Sequence, residues 1–382
     1  MASVACRDHE SPLELGANRL GADRDIDLVE WPSPSDRETE PKVVWSPRTL
    51  HSVDRSLNEE AEMVSRRDWL RITAGAGAAL GLNPRVLEAL QAQELLTRAI
   101  PSTGERIPVI GLGGRWISNN SSAEELANHR AVLHALAEGA EGAGRVFDSA
   151  AGYGGGGSEQ YAGQWAEEDG FGDEIFWATK VNVVGRGGGS AEPDAVRAQI
   201  ERSFERLRLP VIDLNQVHNM GDPPTQLGIL QDYKDSGRIR YIGMTTTSEQ
   251  QYPALAEVMR DYPIDFIGID YAIDNRVAEE RIFPLAQEEG IAVMVYLPFG
   301  RSRMWQRIGD RPLPDWTEEF DAHTWAQFML KFVVAHPAVT VAAPGTGDPE
   351  HMVDNLGGGR GRLPTQEHLR RMIQLVESLP GG

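Results

Sequence analysis

Four polar side chains of complementary chemistry stand in the middle of the chain: Asp148, Tyr153, Lys180 and His218. Asp148 closes the run Val146-Phe147-Asp148, and Tyr153 follows five residues later in a glycine-rich stretch. Lys180 ends the apolar run Ile175–Lys180, and His218 directly follows Ile212–Val217. A tyrosine hydroxyl, with an ordinary pKa of about 10, donates a proton poorly at neutral pH unless a nearby cation favours the phenolate. Lys180 is such a cation, and a rare one, because the only other lysines are Lys42, Lys234 and Lys331. A charge at the end of an apolar strand is costly without a partner, which Asp148 provides. His218 suits orienting a carbonyl oxygen or sharing its proton. Together the four fit protonation of an oxygen on which negative charge develops, as carbonyl reduction requires. Singly each has a plainer reading: a structural ion pair for Asp148 and Lys180, a turn residue in Tyr153, a buried histidine in His218. Their joint occurrence at successive strand ends favours chemistry.

Such a group works only if the fold brings those strand ends together. From Val109 onward, short β-branched runs alternate with segments of helical period, the pattern of a parallel α/β protein. The expected strands are Val109–Gly113, Val146–Asp148, Ile175–Lys180, Ile212–Val217, Tyr241–Met244, Phe266–Asp270, Ala292–Tyr296 and Val339–Ala343. Helices are expected at Glu124–Glu138, Asp194–Leu207, Leu255–Arg260 and Glu280–Glu289. Eight such units in about 250 residues match a closed (β/α)8 TIM barrel, whose strand ends lie side by side at the C-terminal mouth. The competing fold is a doubly wound open sheet, but Gly111-x-Gly113 lacks the third glycine of its dinucleotide fingerprint. Ahead of the barrel, Thr97–Pro108 with its Thr103-Gly104 turn reads as a β-hairpin capping the floor. Arg301–Thr324 reads as a long insertion at the rim, where barrel loops cover substrates or simply pack.

The segment Val146-Phe147-Asp148-Ser149-Ala150-Ala151-Gly152-Tyr153 with Ser158-Glu159, then Ala178-Thr179-Lys180 and Asp213-Leu214-x-x-Val217-His218, resembles the aldo-keto reductases. The likeness continues through Gly237-Arg238-Ile239-Arg240-Tyr241-Ile242-Gly243, Tyr271 with Arg276, and Pro344-Gly345-Thr346-x-x-Pro349-x-His351 with Asn355, over about residues 98–378. The resemblance implies a barrel that binds extended NADP(H), with NAD(H) the open alternative, and no Rossmann domain. It implies Tyr153 as general acid, Lys180 and Asp148 as the groups that tune it, and His218 as the residue that positions the carbonyl. It implies cofactor contacts from Gly113, Thr245, Thr246, Pro298 and Tyr296, the last stacking on the nicotinamide. Gly345, Thr346, His351, Asp354 and Asn355 are implied to hold the adenosine ribose, its phosphate and the adenine, near a helix N-terminus suited to anions. The sequence departs from the family at Thr245-Thr246, where a Ser-Asn pair often stands, and at Gly268, commonly a glutamine. Neither Lys nor Arg occupies the Gly345 and His351 positions that many members use to clamp a 2′-phosphate, which weakens discrimination for NADPH over NADH.

Composition narrows the rest. Lys+Arg 37 against Asp+Glu 57 leaves a net charge of −20, which argues against nucleic acid as a partner. The single cysteine, Cys6, excludes a disulfide framework. No metal site is expected, since His129 and His134 are spaced too poorly to share a helix face. Residues 1–62 read as a disordered acidic extension. Residues 63–96 carry Arg66-Arg67 ahead of the apolar run Ile72 to Leu82 and resemble a twin-arginine (Tat) signal. That run is too short to span a bilayer. If the signal functions, the Tat machinery is a partner and the protein is exported to the periplasm or cell exterior; otherwise it is cytoplasmic. Residues 97–382 form the barrel. The expected activity is NAD(P)H-dependent reduction of a small aldehyde or ketone to an alcohol, and the alternative is a dinucleotide-binding redox sensor with little turnover.

Overall fold

The computed structural model describes residues 93–139, 145–186 and 188–381. The expected N-terminal extension, and the twin-arginine motif with its apolar run, lie outside the described residues.

The packed body reaches back to Leu95, which is buried and bridges to Arg360. The hairpin pairs β1 (Thr97–Ala99) with β2 (Arg106–Pro108) in antiparallel register, Arg98 opposite Ile107. Its turn closes where Gly104, at φ 77°, donates to the Ile100 carbonyl at 2.8 Å. Ile100 and Ile107 then pack upward into the barrel interior.

Eight parallel strands follow in sequence order: β3 (Leu112–Gly113), β4 (Arg145–Asp148), β5 (Ile175–Val181), β6 (Ile212–Val217), β7 (Ile239–Thr246), β8 (Phe266–Asp270), β9 (Ala292–Tyr296) and β10 (Val339–Ala342). The sheet closes on itself, because Ile110 bridges Ala342 and Gly113 bridges Gly345, both in parallel sense. The doubly wound alternative is thereby excluded. Around the barrel run α1 (Ala123–Gly139), α2 (Gly157–Asp169), α3 (Pro193–Leu207), α4 (Pro223–Asp235), α5 (Tyr252–Asp261), α6 (Ala278–Glu288), α7 (Arg303–Ile308), α8 (Trp325–Ala335), α9 (Pro349–Gly357) and α10 (Gln366–Ser378). Several start where the chain supplies its own stop for orphan amides: proline in the first turn of α3, α4, α5 and α9, and the Thr324 and Thr365 hydroxyls capping α8 and α10. The Arg301–Thr324 insertion is itself folded, into α7 and a 3-10 turn at Asp315–Phe320.

Alternation along each strand separates two cores. Phe147, Trp177, Ile242, Ile267 and Val293 face out beneath the helices. Val146, Phe176, Ala178, Leu214, Tyr241, Phe266 and Met294 face in and fill the lower barrel. Each fully buried large apolar side chain contributes about 1.5–3 kcal/mol, so the interior is a packed plug. Continuing the inward parity one step up each strand places Asp148, Lys180, Gln216, Gly268 and Tyr296 in a polar layer above that plug.

Candidate active site

Asp148 and Lys180 meet at this layer. The Lys180 ammonium donates to Asp148 Oδ2 at 2.5 Å and to the Ser149 carbonyl at 2.6 Å, and both side chains are almost wholly buried. Burial pushes the Asp148 carboxyl up from its ordinary range, while the charge and hydrogen bond of Lys180 pull it down. Above the pair, the ammonium lies 5.0 Å from the ring centre of Tyr153 and 5.0 Å from that of Tyr296. Two phenol rings thus sheathe one buried cation. Tyr296 is the inert one: its hydroxyl donates to Asp148 Oδ1 at 3.3 Å and accepts from Gln216 Nε2 at 3.0 Å, and burial followed by the Asp148 charge drives its pKa well above the usual value. Tyr153 is half-buried and faces an open cleft.

The loop that carries Tyr153 is fixed by its glycines. Tyr153–Gly156 is a 3-10 turn in which Gly154 has φ 57° and Gly156 φ 92°, and a side chain at Gly154 would run into the Ile117–Ser118 backbone. Behind it, Ser158 Oγ donates to the Gly114 carbonyl at 2.8 Å, Arg206 donates to the Ala151 carbonyl at 3.0 Å and to Glu159 at 3.2 Å, and Thr179 donates to Glu159 at 2.6 Å. The buried Ser158 therefore ties the tyrosine loop to the segment after β3, and the buried Glu159 ties it to β5 and α3.

His218 completes the group. Its ring meets the Tyr153 ring edge-on, with centres 5.8 Å apart and planes at 78°. Burial lowers its pKa to about 3, reinforced by the positive charges of Lys180, Arg186 and Arg115. A histidine so depressed is neutral at physiological pH and serves as a hydrogen-bond donor or acceptor rather than as a proton reservoir.

All four residues border a cleft of 590 Å³ at the barrel mouth or lie directly beneath it. Of the residues implied for a cofactor, Gly113, Thr245, Tyr296, Pro298 and Gly345 line this cleft. The others are not among its lining residues. Thr246 donates its hydroxyl to Gln251 Oε1 at 2.6 Å and accepts from the Ser248 amide at 3.1 Å. Asp354 accepts from Thr324 at 2.9 Å and from Gln327 at 2.8 Å, and burial pushes its carboxyl up to about 6. Thr346 caps the turn at Asp348, His351 is exposed on α9, and Asn355 is buried beneath it. Sequence reasoning passed over Gln216, Arg115, Trp116 and Arg186. Gln216 was within reach, because Leu214, Gln216 and His218 share the inward parity of β6; the others sit on irregular loops with no periodic signal.

The sequence profile of the Aldo/keto reductase family matches residues 109–372, well over half of the chain. The chain belongs to the aldo/keto reductase family. Among similar reductases, the Schizosaccharomyces pombe aldo-keto reductase yakc [NADP(+)] is 30% identical over 210 residues, covering 52% of this chain and 59% of that protein. This chain therefore spans under two thirds of that relative's length. A Gibberella moniliformis aldo-keto reductase is 27% identical over 313 residues, covering 72% of this chain and 91% of its own. In architecture, a Klebsiella pneumoniae aldo-keto reductase solved in complex with NADPH superposes with a TM-score of 0.60 at 23% identity, covering 75% of this chain and 95% of that one. The barrel is the fold of this family, and the polar layer sits at the mouth of that barrel.

Proposed function

We propose that this reductase reduces an aldehyde or ketone to an alcohol with NADP(H), Tyr153 being the general acid. The observation that carries the reading is the Lys180 ammonium, buried against Asp148 and 5.0 Å from the centre of the Tyr153 ring, whose hydroxyl, unlike that of Tyr296, has no hydrogen-bond partner among the described residues. The names of relatives support the cofactor: one is an NADP(+) enzyme and one was solved with NADPH.

The cleft suits a dinucleotide by shape. At Gly113 a Cβ would come within 3.0 Å of the Ala343 carbonyl, and at Gly345 within 2.8 Å of Trp116 Nε1, so bare backbone forms that wall. Gly113 and Gly345 would hold the dinucleotide along this wall with Pro298 and Thr245, and Tyr296 would border its nicotinamide end. Once bound, the reduced nicotinamide supplies the hydride, two electrons and a proton's mass, to the carbonyl carbon.

The rest is done by the chain. As the carbonyl π pair moves onto oxygen, the Tyr153 hydroxyl hands its proton to that oxygen and solvent later restores it. Lys180 stabilises the phenolate left behind, and Asp148 holds the Lys180 ammonium in place. The neutral His218 ring donates an N–H to the same oxygen and sets its direction. Replacing Tyr153 by Phe keeps the ring and removes the proton. We expect kcat for a panel of simple aldehydes to fall by about 10²-fold or more, with NADPH affinity retained. Turnover equal to that of the natural enzyme rejects Tyr153 as the acid.

A further inference from the structure

We infer that the substrate is an anionic carbonyl compound, one whose carboxylate is held by Arg115 and Arg186 at the rim of the cleft while its carbonyl faces Tyr153 and His218. The inference rests on the reductase reading and adds the class of molecule reduced.

Both arginines line the cleft, from loops on different strands: Arg115 follows β3 and Arg186 follows β5. Both are exposed. Among the described residues Arg115 makes no ion pair, and Arg186 reaches only two neutral oxygens, Asn219 Oδ1 at 3.3 Å and Thr247 Oγ1 at 3.4 Å. The third guanidinium at the rim differs, since Arg301 is paired with Asp270 at 2.6 Å. Among the described residues that line the cleft, Asp148 is the sole carboxylate, and Lys180 already balances it.

In a chain of net charge −20, an opening bordered by two guanidinium groups with no carboxylate partner among the described residues is a local inversion of the protein's field. A low-dielectric cleft concentrates such a positive field and draws in small anions. Guanidinium is also the side chain whose planar fork fits a carboxylate with two parallel hydrogen bonds. The positive charges of both arginines are felt at His218, which locates them around the same ring that orients the carbonyl.

The test compares 4-carboxybenzaldehyde with 4-formylbenzamide, a pair matched in shape and differing in charge, both with NADPH. We expect kcat/KM to favour the carboxylate by about tenfold or more, through KM, and the preference to shrink as salt screens the rim. Arg115→Gln and Arg186→Gln should each move the ratio toward one, and Arg186→Lys should restore part of it. A ratio near one in the natural enzyme, or a ratio that ignores both Gln variants, overturns the inference. So does a weakened NADPH Kd in the variants with the ratio intact, because the guanidinium groups then serve the dinucleotide's phosphates. If neither aldehyde is reduced, calorimetry with 4-(hydroxymethyl)benzoate and 4-(hydroxymethyl)benzamide separates the two claims. Carboxylate-selective binding lost in Arg186→Gln sustains the anion site while the reductase reading falls, and equal binding of the two removes the anion site.

Discussion

The ring of Tyr296 fills the space in which any side chain at Gly268 would have to lie. A Cβ built on Gly268 overlaps the ring edge and comes within 2.9 Å of both Tyr296 Cζ and Thr245 Cγ2. The glycine on β8 thus accommodates an aromatic on β9, tilted inward so that its hydroxyl reaches Asp148 and Gln216. Gly268→Ala should push the ring off its seat, destabilise the fold by about 1–3 kcal/mol and lower kcat by loosening the Asp148 pair. Tyr296→Phe keeps the ring but strips Gln216 of its acceptor; Gln216 is fully buried and its Oε1 has no partner among the described residues. That loss should cost about 1–3 kcal/mol. Urea unfolding with steady-state kinetics reads both, and a Gly268→Ala protein as stable as the parent would show that the ring has room to spare.

A neutral His218 makes a signed prediction about acid. Its folded pKa of about 3 lies below the ordinary value of 6.5, so between those values the unfolded chain binds a proton that the native state refuses. Stability from this residue is therefore complete above pH 6.5 and is lost as pH falls toward 3, by up to about 1.4 kcal/mol per pH unit. His218→Gln cannot titrate, so the stability difference between the two proteins should change between pH 7 and pH 4, with the parent losing more. A difference that stays constant over that range would mean that the imidazole is protonated in the folded enzyme. The same neutrality predicts no break near pH 6.5 in kcat/KM from this residue.

Much of the fold was legible because strands of a parallel barrel announce themselves by β-branched runs at regular spacing. Ile175–Lys180 and Phe266–Asp270 appear as strands almost residue for residue. That Asp148, Tyr153, Lys180 and His218 converge was legible for a related reason, since barrel geometry converts a position at a strand end into a position at the mouth. Two things were hidden. The first strand pairs formally over Leu112–Gly113 alone, with Ile110 joined by an isolated bridge, because closure across Gly111 and Gly113 depends on distant β10. The partners of Thr246 and Asp354 were hidden too: a strand-end threonine can face in or out, and a carboxylate in the middle of a helix can accept from a residue of the neighbouring one, as Asp354 does from the Thr324 hydroxyl. Parity decides the first and tertiary packing the second, and only parity is written locally.

The start of α9 bears on which dinucleotide is used. Asp348 caps it, accepting from the Glu350 amide at 2.8 Å, Pro349 offers no N–H, and Glu350 adds a carboxylate to the first turn. Two acids and a proline turn a helix N-terminus that would otherwise favour an anion into one that repels it. With exposed His351 as the residue that resemblance assigns to the 2′-phosphate, little is left to distinguish NADPH from NADH. We expect their Kd values to differ by less than about tenfold, a charge-assisted hydrogen bond being worth about 1.5–3 kcal/mol where it exists. His351→Arg should then tighten NADPH by about tenfold or more and leave NADH where it was. Fluorescence titration of both cofactors on both proteins decides it. A natural enzyme that already prefers NADPH by a hundredfold would place the phosphate away from α9, against another cation.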